Sequence, residues 1–156
     1  MTNFHKLASQ STRCTALALA IVLTACSNIE AMREAAALNE QANTVYPKNY
    51  KAEILSFMRT YLNDPTQIRD AAISDPAIKT VDGMDRYIVC VRYNAKKGSG
   101  QYAGTKDNIV TFRQGRLDRI IDTVRDPRDR REGREIRETC KDMAMKPFAE
   151  LERLVR

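Results

Sequence analysis

The most regular alternation of apolar and polar positions lies in Asp85–Lys96. There Tyr87, Val89, Val91 and Tyr93 interleave with Ile88, Cys90, Arg92 and Asn94, the period of two that defines a β-strand. Its β-branched and aromatic residues favour that state. The second set is apolar around Cys90, so this strand is expected to be central and covered on both faces there. Two further strands are read in "DNIVTFR" and "RLDRIIDTV", joined tightly around Gln114-Gly115. Val110 and Phe112 share a face. Leu117, Arg119 and Ile121 are set against Asp118, Ile120 and Val124. The three runs predict an antiparallel meander.

A different period governs "NYKAEILSFMRTYLNDP". Tyr50, Ile54, Phe57, Met58 and Tyr61 recur at spacings of three and four, with Leu55 and Leu62 widening the stripe. That predicts an amphipathic helix with one face on a core, Asn49 as its N-cap and Asn63-Asp64-Pro65 as its stop. Lys51, Glu53 and Arg59 do not form the strongly cationic face of a helix lying on lipid. Residues 66–83 carry Ile73, Ile78 and Val81 around a break at Asp75-Pro76. They read as a short irregular edge strand, where proline is tolerated, with continued helix as the alternative. Ile136, Cys140 and Met143 place Cys140 on the buried face of another helix, broken at Pro147. Phe148, Leu151 and Leu154 then give a last short helical segment. The expectation is an α+β domain over residues 49–156: an N-terminal amphipathic helix packed on a three- or four-stranded antiparallel β-meander, with a C-terminal helical segment.

Upstream the character changes. Residues 27–48 are rich in Ala, Glu, Gln and Asn and poor in large apolar side chains. They read as a tether, helical in its first half and ended by Tyr46-Pro47. Before it stands the apolar run Ala16–Leu23, preceded by His5, Lys6 and Arg13 and by no acid. A run of about eight residues is too short to span a bilayer as a helix. It has the flanks of a secretory signal peptide.

The run closes on Leu23-Thr24-Ala25-Cys26. This resembles the lipobox of bacterial lipoproteins. The resemblance implies a diacylglycerol on the Cys26 thiol, removal of residues 1–25, and acylation of the new amine. Ser27, in place of Asp, implies sorting to the outer membrane by the enterobacterial rule. More than one acyl chain makes membrane binding stable. The alternatives are plain secretion and a retained anchor. "LNDPTQIRDA", "YIVCVRYNAK" and "PFAELERL" also resemble parts of small proteobacterial envelope lipoproteins. That resemblance implies no activity.

Composition narrows the chemistry. The chain carries a net charge of +6, and the signal takes Lys6 and Arg13 but no acid, leaving +4 on the mature part. That mild basicity favours contact with anionic lipid or polymer without demanding it. Cys14 leaves with the signal and Cys26 takes the lipid. Cys90 and Cys140 remain as an even pair for an oxidising compartment, with two separate buried thiols as the alternative. The single histidine, His5, also lies in the signal. This excludes histidine-based general base catalysis, Ser-His-Asp and Cys-His nucleophiles and His-containing zinc sites. No metal or cofactor is expected.

Three segments invite chemistry. "KGSGQYAGTK" resembles a phosphate loop only in its glycines, because Gly104 is followed by Thr105 and then Lys106. It reads as a flexible hairpin connection whose Lys96, Lys97, Tyr102 and Lys106 form the candidate binding surface. Asp118 and Asp122 would share a strand face, but nothing marks them as the buried pair of a carboxylate hydrolase. Arg125–Glu138 holds six Arg among five acids. Such interleaved signs make a solvated, salt-bridged surface, and no nucleic-acid partner is expected. The functional expectation is a non-enzymatic lipoprotein in the envelope, anchored through Cys26 to the outer membrane and facing the periplasm. It would bind an envelope protein. Binding of anionic lipid or cell-wall polymer is the alternative, and a small carboxylate-based hydrolase the weaker one.

Overall fold

The computed structural model describes residues 28–122 and 130–155. The signal segment, Cys26, Ser27, Val124 and the start of the Arg/acid run lie outside them. The chain divides into two units that meet between Asn39 and Glu40. Helix α1, residues 28–43, begins in the first. The second unit holds α2 (Tyr50–Tyr61), β1 (Asp64–Ser74), β2 (Ala77–Val81), β3 (Met84–Lys96), β4 (Lys106–Arg113), β5 (Arg116–Ile121), α3 (Arg130–Lys141), β6 (Met145–Pro147) and α4 (Ala149–Glu152). No helix among the described residues is long and apolar enough to cross a membrane.

The strands form one antiparallel sheet of six, not the expected meander of three or four. Its order is β5-β4-β3-β1-β6, with β2 also paired to β3. β1 and β2 lie end to end along the edge of β3 opposite β4: β1 pairs up to Lys96, β2 from Met84 to Ile88. Asp75-Pro76 separates them. The sheet was underestimated because β1 does not alternate. Two bulges interrupt its register between Asp64 and Ala72, and Gln67 and Asp70 take left-handed φ of 56° and 54° there. Each bulge inserts residues that oppose nothing on β3, so the side chains change faces. β6 was missed for another reason. Pro147, read as a helix breaker, belongs to a three-residue strand paired to Ala72–Ser74 at the sheet edge, a position that tolerates a residue without an N–H.

Two hairpin turns fix the register of the rest. Asp82-Gly83 joins the paired Val81 and Met84, and Gln114-Gly115 joins Arg113 and Arg116. All four turn residues have positive φ, from 52° to 71°, as a two-residue I′ turn requires. Gly115 is doubly constrained, since a Cβ there would stand 3.1 Å from Val45 and 3.2 Å from the Tyr46 carbonyl oxygen.

Both faces of the sheet are covered. On the first, Ile54 and Met58 of α2 and Phe148 and Leu151 around α4 pack on Val89, Val91, Val110 and Phe112. On the second, Ile136 and Cys140 of α3 pack on Val81, Ile88, Cys90 and Ile109. Cys90 and Cys140 are joined as a disulfide with a Cα–Cα distance of 5.8 Å. Burial of these side chains supplies the main driving force for folding.

Two local readings are corrected. Asn49 makes no side-chain cap for α2; the helix starts instead with the Glu53 N–H donating to the Asn49 carbonyl at 3.1 Å. In β5 a bulge opposite Thr111/Phe112 inserts Asp118. Leu117 and Ile120 therefore both serve the first core while Ile121 serves the second. Residues 40–48 pack within the second unit: Asn43 is buried, the Ala42 carbonyl accepts the Gln114 N–H at 2.5 Å, and the Tyr46 and Tyr87 rings meet edge to face at 5.3 Å.

Candidate functional site

Helix α2 stops at Tyr61, where Leu62 turns extended with ψ 137°, ahead of Asp64-Pro65. Strands β3 and β4 run on past it, so one end of the first sheet face is left without a helical cover. The result is a cleft of about 380 Å³, within the size range of small-molecule sites. Its floor is Tyr93 and Ala95 of β3 with Asn108 of β4. Tyr61 and Leu62 form one wall. Lys96, Lys97 and Lys106 also line it, and Asp122, just beyond β5, adds to the lining beside Tyr61.

Tyr61 carries two roles. Its ring lies 5.2 Å from that of Phe57, and its hydroxyl donates to Asp122 Oδ2 at 2.7 Å. Below it, the Tyr93 hydroxyl is pushed well above the ordinary tyrosine range. Burial is the main cause, with the neighbouring Tyr61 and Asp122 adding to it. Asn108 is 1% exposed. Its Nδ2 faces the carbonyls of Val91 at 3.3 Å and Lys106 at 3.5 Å. Carbonyls only accept, so the amide nitrogen must be the atom that faces them. The Asn108 Oδ1 is left with no donor among the described residues.

The four residues singled out from the sequence divide between two roles. Lys97 and Lys106 line the cleft, are exposed, and make no ion pair among the described residues. Lys96 also lines it but is held back by the Gln67 side chain. Tyr102 does not line it. Its hydroxyl donates to the Gln67 carbonyl at 2.9 Å, and the Arg69 guanidinium covers its ring at 4.2 Å. Tyr102 therefore braces the β3–β4 connection against the bulge of β1. The glycine-rich connection leads into a strand and not into a helix, so it offers no helix N-terminus to a phosphate.

Of the other candidates, only Asp122 lines the cleft. Cys90 and Cys140 sit in the second core, with Met143 Sδ 3.4 Å from Cys90 Sγ. Asp118 and Asp122 do not form a pair. The β5 bulge sends Asp118 toward the buried Arg86 at 3.4 Å, on the face of the sheet opposite the cleft. No group of three or more metal-ligating side chains occurs among the described residues. Cys26 lies outside them. Tyr61 and Asn108 escaped the sequence reading as site residues, and Asp122 was weighed there only as half of a carboxylate pair with Asp118. A signal for Asn108 was present, because it is the polar member of the row Asn108, Val110, Phe112 on a buried strand face.

No family model matches this chain, and no curated protein or solved structure matches it.

Proposed function

We propose that this chain is a lipid-tethered binding domain of the bacterial envelope, held through Cys26 at the outer membrane and facing the periplasm. It works without catalysis, by holding a partner in the cleft at the end of α2. One observation carries the reading: Lys97 and Lys106 stand without carboxylate partners among the described residues, beside an apolar, tyrosine-walled cavity. An apolar cavity with a few convergent polar groups has the form of a ligand site. The lipobox-like Leu23–Cys26 segment supports the tether. The Cys90–Cys140 disulfide supports export, since such bonds persist in oxidising compartments. Asp118 and Asp122, on opposite faces, give no support to the carboxylate-hydrolase alternative.

The test has two arms. Cells fed labelled palmitate should label the wild-type chain and not a Cys26→Ser variant. A photo-crosslinking residue at position 97 should capture a neighbour in intact cells, and one at the exposed Arg134 of α3 should not. Equal labelling of the two chains, or equal capture from the two positions, would overturn the reading.

A further inference from the structure

Resting on the binding reading above, we infer that the ligand of the cleft is an acidic glycan, a sugar chain carrying carboxylates. Three features of the cleft make separate demands, and this chemistry meets all three.

The first demand is charge. Lys97 and Lys106 both line the cleft, are exposed, and have no ion pair among the described residues. Two such lysines lining one cleft favour an anionic ligand. Both are exposed, so each contributes modestly and is weakened by salt.

The second demand is for donors. Asn108 lines the cleft and is almost wholly buried, its nitrogen faces two carbonyls, and its Oδ1 has no donor among the described residues. Asp122, also in the lining, has one oxygen engaged by Tyr61, and a carboxylate has capacity for further donors. A bare carboxylate, a fully ionised phosphate or an acyl chain brings no donor to these oxygens. Sugar hydroxyls do.

The third demand is for a flat apolar face. Tyr61 is 38% exposed and is braced at both ends, by Phe57 at the ring and Asp122 at the hydroxyl. A rigid, partly exposed ring above the Tyr93 floor suits the C–H face of a pyranose. It loses little freedom on binding, and its polar end stays satisfied. Among the described residues the cleft has one such platform. A single-stranded nucleic acid would use a succession of them.

The test uses the full-length protein in detergent micelles and isothermal titration calorimetry at low salt. The probes are trigalacturonate, its methyl ester, and propane-1,2,3-tricarboxylate, which keeps the charge but has no hydroxyls. Phosphatidylglycerol vesicles are titrated separately. Trigalacturonate should bind, with the ester and the tricarboxylate each at least five-fold weaker. The Lys97→Glu/Lys106→Glu variant, altered only at exposed positions, should weaken trigalacturonate binding about ten-fold. The inference is overturned if the tricarboxylate binds as well as trigalacturonate, if the double variant binds it undiminished, or if vesicles bind in a lysine-dependent way and trigalacturonate does not. Capture of a protein from position 97 in cells, with no heat from trigalacturonate, would sink the glycan and leave the binding reading standing. Absence of both would sink the two together.

Discussion

Glu53 of α2 accepts the backbone N–H of Leu117 at 2.5 Å while its other oxygen pairs with Arg116 at 2.7 Å. Leu117 belongs to β5, the outermost strand on its side, so a helix side chain takes the place of the strand that is missing there. Unpaired edge N–H groups are a liability in any sheet, and this one is closed from within. Glu53→Ala should destabilise the fold by about 1–2 kcal/mol, because it leaves a partly buried N–H unsatisfied. Glu53→Gln keeps an acceptor and should lose about half as much. Urea denaturation of the two variants checks the order.

The Cys90–Cys140 bond ties α3 to the central strand across a sequence separation of 50. Chain entropy assigns about 4 kcal/mol to a closure of that length. Reduction, or Cys90→Ala/Cys140→Ala, should lower the urea midpoint by a corresponding amount with near-native far-ultraviolet dichroism before the transition. An unchanged midpoint would show that the second core holds α3 by packing alone.

Arg86 is 5% exposed; among the described residues its Nε has no hydrogen-bond partner and its one carboxylate is Asp118 at 3.4 Å. Asp118→Ala strands a charge inside the second face and should cost about 3 kcal/mol. Arg86→Met in the same chain should restore most of that loss. A double-mutant cycle by denaturation measures the coupling.

The Tyr93 hydroxyl, raised by burial and by Tyr61 and Asp122, stays protonated in the folded chain beyond the pH at which a free tyrosine ionises, near 10. The unfolded chain therefore sheds this proton first. The stability it contributes is complete below about pH 10 and is lost as pH climbs above that, at up to about 1.4 kcal/mol per pH unit. Tyr93→Phe should flatten this alkaline decline. Parallel slopes in the two proteins above pH 10 would contradict it.

The legible parts of this fold are those whose sequence obeys one period throughout. β3 alternates without interruption and is buried on both faces around Cys90. The stripe from Tyr50 to Tyr61 holds its spacing and places Ile54 and Met58 in the core. β1 was illegible because Gln67 and Asp70 turn left-handed inside it, so eleven strand residues never show a run of alternating polarity. Asp118 misled in the same way. One inserted residue was enough to separate it from Asp122 by the thickness of the sheet. Asp82-Gly83 is a strong hairpin signal that the irregular flanks concealed.

The cleft divides along the same line. Lys96, Lys97 and Lys106 are neighbours in the chain and could be seen together. Tyr61, Asn108 and Asp122 meet only because α2 ends early, β4 returns alongside β3, and β5 closes toward the helix terminus. Each of those three events is set by a different turn or stop signal. Their joint outcome is a matter of topology, which periodicity does not encode.

The bond between Cys90 and Cys140 has a consequence for how the molecule breaks. Everything from Val91 to Thr139, including Lys97, Lys106, Asn108 and Asp122, lies inside the covalent ring that it closes. A protease that nicks the arginine-rich stretch after β5 opens the ring without parting the chain. The nicked molecule migrates as one piece until a thiol reagent is added, and only then as two.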